Sequence, residues 1–194
     1  YQNFCAAENS GIFRLGRPTV GLLFHRTSWA EGDMELTGQL KKMLEAEGIS
    51  VIPVMLEGGN MAREGSRPFA KLMEDCFSRD GEVVIDGIVN QLVFSGEAEK
   101  GKSIYQSSAE CFAKWKLPVF QPVSAYFCTE ETYRNSANPL RDEIPWAYLT
   151  PELQGMIQPV LVALRDERGQ VKPIKERLKH FAGRTARHLR LGRI

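Results

Sequence analysis

The sequence has little of what marks several specialised classes of protein. Its four cysteines (Cys5, Cys76, Cys111 and Cys128) form no C-x-x-C pair, and its three histidines are scattered, so neither a zinc site nor a redox site is predicted. A chain of 194 residues is long enough to bury a core without disulfides. We therefore expect a reducing, cytoplasmic compartment.

Long apolar runs and catalytic motifs are also missing from the sequence. No run approaches the roughly 18 residues of a membrane span, and the first residues lack the basic start and apolar core of a signal peptide. There is no Ser-His-Asp set, no paired-carboxylate motif and no H-E-x-x-H. We expect no integral membrane contact, no catalytic residue and no bound metal.

The composition itself is typical of a globular domain. Hydrophobic residues make up 43% and charged residues 25% of the chain, which excludes disorder and low complexity. The length fits one domain, or one domain with an appendage. Because the chain starts at Tyr1 rather than Met and stops abruptly after residues 190–194, we expect a fragment of a larger protein.

Charge is unevenly distributed along the chain. Residues 171–194 hold eight Lys or Arg and one acid, Glu176; this charge of +7 leaves −6 on residues 1–170 of a chain whose net charge is +1. Such a basic segment favours either an anionic partner or a solvated helix face. No aromatic interleaving or reader motif accompanies the charge, so we expect no nucleic-acid partner.

Short apolar runs alternate with amphipathic segments from the first strand onward. Residues 19–24 (TVGLLF) are continuously apolar, which is typical of a strand buried on both faces of a parallel sheet. The amphipathic helix that follows ends at Gly48. A strand over residues 49–56 completes a β-α-β unit, and Pro53 places this strand near an edge of the sheet.

The alternation predicts a three-layer α/β fold: a mainly parallel sheet with helices on both faces (Rossmann-like or flavodoxin-like), plus a C-terminal basic helix. The later segments are predicted as helix 68–77, strand 83–89, helix 104–116, strand 118–123, a short helix from Thr129, strand 157–164 and helix 173–191. We divide the chain into a lead-in segment (1–17), an α/β domain (18–165) and a C-terminal connecting helix (166–194).

The C-terminal helix carries an apolar stripe that must be buried, because helices gain most of their stability from packing. We expect Pro173 to be its first residue, and Ile174, Leu178 and Phe181 to pack on the α/β body. Beyond Gly183 we expect the helix to project or fray. We expect its arginines to be exposed and available to a partner domain that is absent from this chain. These are Arg184, Arg187, Arg190 and Arg193.

One sharp motif is present. Residues 96–103 (GEAEKGKS) match G-x-x-x-x-G-K-[ST] and lie between a predicted strand and a predicted helix. In a nucleotide-binding P-loop, Gly96 and Gly101 would shape the phosphate cradle, Lys102 would reach the terminal phosphates and Ser103 would hold Mg²⁺. Two acids inside the loop and a gap after the strand count against this function. A nucleotide site is therefore an alternative to an ordinary surface loop.

Polar residues follow several predicted strands, where ligands bind in open parallel sheets. His25 and Arg26 follow the first strand, and Asn90 and Gln121 lie near the ends of the third and fourth. Arg26 is suited to pair with a carboxylate, and His25 to exchange a proton near neutral pH. These four are the candidate ligand-binding residues of an independent small-ligand module, although each also fits a structural role at the sheet edge.

Several segments resemble the large subunit of cobaltochelatase and the H subunit of magnesium chelatase. The first is residues 20–29 (VGLLFHRTSW) followed by Gly32 and Asp33. The others, in the same order as in the family, are residues 117–121 (LPVFQ), 129–136 (TEETYRNS), 149–159 (LTPELQGMIQP) and 173–177 (PIKER). The resemblance covers roughly residues 18–194. Trp29 leans toward the cobalt branch, whereas two other sets lean toward the magnesium branch: Arg26-Thr27 with Gly32-Asp33, and Glu130-Glu131 with Asn135-Ser136.

The resemblance implies a role in metal insertion. In this family the large subunit binds a tetrapyrrole, and partner AAA+ subunits hydrolyse ATP. Residues that line the tetrapyrrole cavity lie in later domains of the family, so none is assigned here. The chain is expected to be a module of the large subunit, inactive alone and without a cofactor of its own. The full complex would need ATP, Mg²⁺ and a tetrapyrrole, with the remaining domains and the AAA+ subunits as partners.

Overall fold

A computed structural model of the chain describes residues 16–56, 69–92 and 104–192. Its strands are β1 (Thr19–His25), β2 (Ser50–Leu56), β3 (Ser78–Arg79), β4 (Glu82–Val83), β5 (Gly87–Asn90), β6 (Val119–Thr129), β7 (Ile157–Arg165) and β8 (Val171–Pro173). Its helices are α1 (Arg26–Ala30), α2 (Glu35–Ala46), α3 (Phe69–Phe77), α4 (Ile104–Trp115), α5 (Glu130–Asn135), α6 (Thr150–Leu153) and α7 (Lys175–Leu191), with a π-helical segment at Ile144–Leu149.

Six strands form one sheet in the order β2-β1-β5-β6-β7-β8. The first five are parallel, and β8 runs antiparallel to β7. Among the parallel strands, the chain order reverses between β1 and β5, as it does in flavodoxin-like folds. The predicted α/β class with a mainly parallel sheet is confirmed, and β2, with Pro53, lies at the sheet edge as predicted.

Two cores cover the two faces of the sheet. On one face, α2 and α7 pack against β1, β2 and β7 through residues such as Leu40 and Phe181. On the other face, α3 and α4 contribute Met73, Phe77 and Phe112. Gly21 in β1 allows this close packing, because a Cβ at that position would overlap the ring of Phe77. The result is the three-layer arrangement that the alternation predicts.

The third predicted strand starts later than expected. Instead of a strand over residues 83–89, β3 and β4 form a small antiparallel hairpin and β5 begins at Gly87. Asp80 and Gly81 both have positive φ, 52° and 83°. An Asp-Gly pair in this conformation is a preferred two-residue hairpin turn, so the chain reverses before it enters the sheet.

Two expectations about the C-terminal helix are wrong. Pro173 belongs to β8 rather than to the helix, because residues 171–173 pair with β7. The helix does not project beyond Gly183: Thr185 and Leu189 are 0% and 4% exposed. The small and apolar residues of that half face α2 and β7, and burying them outweighs the fraying that Gly183 favours.

Other predictions for α7 hold. Leu178 and Phe181 are fully buried, and the partly buried Ile174 packs on a third core between β6, β7 and the π-helical segment. The side chains of Arg184, Arg187 and Arg190 are exposed. Arg193 lies outside the described residues.

The division of the chain into a lead-in segment (1–17), an α/β domain (18–165) and a C-terminal connecting helix (166–194) stays a prediction. Among the described helices, none is both long enough and apolar enough to cross a membrane.

Candidate functional site: a cleft at the carboxyl edge of the sheet

A cleft of about 350 Å³ opens at the carboxyl ends of the strands, beside the switch point between β1 and β5. We call it the carboxyl-edge cleft. Its lining comes from the β1–α2 connection, the start of α2, and the ends of β5, β6 and β7. These residues are His25, Thr27, Ser28, Glu31, Asp33, Leu36, Thr37, Gln91, Ser124, Tyr126, Arg165, Gly169 and Val171. The cleft lies where α/β proteins bind their ligands.

His25 lies on the wall formed by the end of β1. Its Nδ1 accepts a hydrogen bond of 3.1 Å from the backbone N–H of Thr27 and so caps α1. An Nδ1 that accepts a hydrogen bond carries no proton, so the neutral ring holds its proton on Nε2. Arg26, the first residue of α1, is half-buried and does not line the cleft.

Gln91 supplies the inner wall of the cleft. Its backbone N–H donates to the carbonyl of Leu23, and its Oε1 accepts from the hydroxyl of Thr37 at 2.9 Å. Its Nε2 is buried and, among the described residues, has no hydrogen-bond partner. A buried amide donor without a partner is costly, and a carbonyl or carboxylate oxygen that reached it from the cleft would satisfy it.

Asn90 and Gln121 lie together, but in the interior rather than on the cleft wall. Both are buried, and Asn90 Nδ2 donates to Gln121 Oε1 at 3.2 Å and to the carbonyl of Leu92 at 3.1 Å. Successive residues of a strand point to opposite faces, so Gln91 faces α2 while Asn90 faces Met156. The binding roles predicted for His25, Arg26, Asn90 and Gln121 stay predictions.

Arg165 braces the far wall of the cleft. Its Nε donates to the carbonyl of Gly169 at 2.8 Å and its Nη1 to the carbonyl of Tyr126 at 3.0 Å. Desolvation of the Tyr126 hydroxyl, together with the nearby negative charge of Asp33, raises the pKa of Tyr126. The tyrosine therefore stays protonated near neutral pH and can donate a hydrogen bond. Sequence reasoning missed both residues, because neither belongs to a recognisable motif.

The cleft has the chemistry of a binding site for a small polar ligand. Its wall offers an amide, a phenol, hydroxyl groups, an imidazole and a guanidinium group, together with the carboxylates of Glu31 and Asp33. Among the described residues, no group of three or more His, Cys, Asp or Glu is arranged to hold a metal ion. The P-loop-like motif, with Gly96, Gly101, Lys102 and Ser103, lies outside the described residues.

A buried carboxylate supports the region behind the cleft. Glu143, 2% exposed, precedes the π-helical segment and accepts a hydrogen bond from the backbone N–H of Phe127 in β6. Burial raises the pKa of Glu143, while hydrogen bonds from the backbone N–H groups of Phe127, Tyr126 and Cys128 act in the opposite direction. Glu143 therefore fastens the π-helical segment to β6.

The outer side of α7 forms a second polar surface. We call it the basic face, and it is defined by Lys179, His180, Arg184, Arg187 and Arg190. These residues line an open groove of about 950 Å³ together with Glu47. Arg190 donates to the backbone carbonyl of Glu47 at 2.7 Å, which ties the end of α7 to the end of α2.

Fold and cleft together define an α/β module of flavodoxin-like strand order with a polar cleft at its switch point. Comparison with known proteins adds the family. The profile of the family described as CobN/Magnesium Chelatase matches residues 2–194. The chain belongs to that family, as the ordered resemblance of its segments predicts.

Individual relatives are similar over nearly the whole chain. An uncharacterized protein of Methanocaldococcus jannaschii is 29% identical over 178 residues, which are 89% of this chain and 14% of the relative. The chloroplastic magnesium-chelatase subunit ChlH of Oryza sativa subsp. indica is 24% identical over 178 residues, 91% of this chain and 12% of its own.

A solved structure has the same fold. The catalytic subunit of cobaltochelatase from Mycobacterium tuberculosis superposes with a TM-score of 0.70 at 20% sequence identity, covering 93% of this chain and 15% of that subunit. The chain therefore spans only 12–15% of the length of these three proteins.

Proposed function

We propose that the chain is one α/β module of the large, tetrapyrrole-binding subunit of an ATP-dependent metal chelatase, a ligase that inserts cobalt or magnesium in cobalamin-type or chlorophyll-type biosynthesis. The observation that carries the proposal is the end-to-end family match over residues 2–194. The same fold in a cobaltochelatase catalytic subunit supports it. We place the complex in the cytoplasm.

We further propose that the module does not insert metal alone. This is supported by its length, since it spans 12–15% of the relatives, whose remaining sequence has no counterpart in this chain. In the working complex the remaining domains of the large subunit and AAA+ ATPase subunits would be its partners. ATP, Mg²⁺ and the tetrapyrrole would be bound by that complex, with the metal ion as substrate.

A reconstitution assay tests this proposal. Porphyrin metallation is followed by absorbance for the chain alone, for a large subunit that lacks this module, and for the two combined, each with the ATPase subunits and Mg-ATP. We expect metal insertion only in the combined sample or with the intact subunit. Metal insertion by the chain alone would contradict the proposal, as would full activity of the subunit without the module.

A second candidate function, an independent small-ligand module, is favoured by the carboxyl-edge cleft with its buried Gln91 Nε2. Thermal stabilisation by small carboxylates or amides, lost in Gln91→Leu but retained in the matched surface change Gln39→Leu, would favour it. The P-loop alternative stays a prediction without structural support in the described residues. Binding of a fluorescent ATP analogue with Mg²⁺ that is lost in Lys102→Ala would favour that function.

A further inference from the structure

Several large apolar side chains are exposed on the π-helical segment and the elements around it. We call this group the apolar face and define it by Phe127, Ile144, Trp146, Leu149 and Leu153. These five are respectively 67%, 40%, 45%, 51% and 71% exposed. Residues 144–151 contain no charged residue. Single exposed apolar residues are ordinary on a protein surface, but a group of this kind marks an interaction site.

Four of the five members of the apolar face lie within residues 144–153, and the fold brings Phe127 next to this stretch. Phe127 donates its backbone N–H to Glu143, the residue before Ile144, so the end of β6 adjoins the π-helical segment. Ile144 and Leu149 are five residues apart, close to one turn of a π-helix, and Leu153 follows one α-helical turn later. Ile144, Leu149 and Leu153 therefore share one side of the segment.

The platform beneath these side chains is firmly packed. Ala147 and Thr150 are buried, and the hydroxyl of Thr150 donates to the carbonyl of Pro145 at 2.8 Å. Tyr148 packs partly against the third core with Val123 and Leu161. Exposed apolar groups on a preorganised platform lose little side-chain freedom on binding, which favours docking.

The composition of the face indicates a protein partner with an apolar surface. Aromatic residues and a depletion of charge are typical of the central part of protein interfaces, and Trp is among the residues enriched at energetic hot spots. A membrane surface or nucleic acid would be matched by basic residues, and the basic residues of the chain are concentrated instead on the basic face of α7.

We propose that the apolar face docks onto an apolar surface of the remaining large chelatase subunit; the proposal rests on the proposed function. The chain spans 12–15% of the length of its relatives. In those relatives the matching region is covalently joined to the rest of the polypeptide, which favours that polypeptide as the partner of the apolar face. Interfaces between domains of one chain bury roughly 600–1,500 Å², enough to cover a face of five large side chains.

Binding in trans tests the proposal. The chain is mixed with the rest of its large subunit, expressed as a separate polypeptide, and the dissociation constant is measured by calorimetry or sedimentation. The double variant Trp146→Ser/Leu149→Ser should weaken binding roughly 100-fold or more. The matched control Trp29→Ser/Val83→Ser removes two apolar side chains that are 60% and 41% exposed elsewhere on the surface. It should change binding by about threefold or less.

Equal unfolding midpoints of wild type and both variants show that all are folded. Unchanged binding by the Trp146→Ser/Leu149→Ser variant would overturn the proposal, as would no binding by the wild type. A defined dimer of the chain alone that this variant abolishes would also overturn it, in favour of a second copy. Metal insertion is assayed separately from binding. If binding depends on the apolar face but the assembled subunit inserts no metal, the docking proposal stands and the proposed function is rejected.

Discussion

Helix α7 and the π-helical segment both pack on the parallel sheet, yet they present opposite surfaces to solvent. The apolar stripe of α7 is buried to Leu189, and its outer side is basic. The π-helical segment buries Ala147 but exposes Ile144, Trp146 and Leu149. An amphipathic surface helix divides its residues as α7 does. The contrast fits the proposal that another protein surface covers the π-helical segment, while the outer side of α7 has the charged character of a solvent-facing helix surface.

The largest effect should come from the buried stripe of α7. Leu189→Ala removes a side chain that is 4% exposed, and we expect a loss of about 2–5 kcal/mol in the free energy of unfolding. Leu191→Ala, two residues later and 64% exposed, is the control and should cost about 0.5 kcal/mol or less. Urea unfolding measures both. Equal small effects would mean that the end of α7 projects after all.

A smaller loss is expected where the π-helical segment is fastened to β6. Glu143→Ala leaves backbone N–H groups near Phe127 buried without an acceptor, which should cost about 1–3 kcal/mol of unfolding free energy. Glu143→Gln keeps a carbonyl oxygen in place and should cost less. If the two variants are equally stable in urea unfolding, the hydrogen bonds to Glu143 do not hold the segment.

The pH dependence of stability separates the charge of Glu143 from its hydrogen bonds. Because burial raises the pKa of this carboxyl group, the folded protein keeps the proton at pH values where the unfolded chain has lost it. The contribution of Glu143 to stability should therefore fall as the pH rises from the ordinary value of a glutamate through the raised folded value. Unfolding free energies measured across this range should fall less steeply in Glu143→Gln. An unchanged slope would exclude Glu143 as the source.

The smallest change in stability should come from the two outer surfaces. Both Leu149→Ser/Leu153→Ser and Arg184→Ser/Arg187→Ser replace exposed side chains and should shift the unfolding free energy by about 0.5 kcal/mol per site or less. The two should differ in binding of the dye anilinonaphthalene sulfonate, which falls only when the leucines are removed. Equal dye binding by the two variants would contradict the contrast between an apolar surface on the π-helical segment and a basic surface on α7.

Sequence periodicity predicted the parallel sheet, because the local hydrophobic pattern determines both the buried strand β1 and the buried apolar side of α2. Thr129 was likewise predictable as the start of α5, where its hydroxyl accepts from the N–H of Thr132. The cleft was harder to predict. Asn90 and Gln91 are neighbours, and only the three-dimensional position of α2 decides that Gln91 faces the cleft.

Long-range contacts explain the remaining differences between sequence and structure. Pro173 follows helix-start statistics, but pairing with β7 holds it in β8. Glu143 and Arg165 belong to no sequence motif, and both act through hydrogen bonds to the backbone of β6. Glu143 accepts from the N–H of Phe127, and Arg165 donates to the carbonyl of Tyr126. Such contacts join segments distant in sequence, so no local pattern contains them.

Hydroxyl-radical footprinting of the chain, alone and assembled with the rest of the proposed large subunit, tests most directly whether the chain is a module that this subunit covers. Labelling of Trp146, Leu149 and Leu153 should fall several-fold on assembly, while labelling of Trp29 should change little. Unchanged labelling of the apolar face in an assembled and metal-inserting subunit would contradict the interpretation that this face is completed by the chelatase polypeptide.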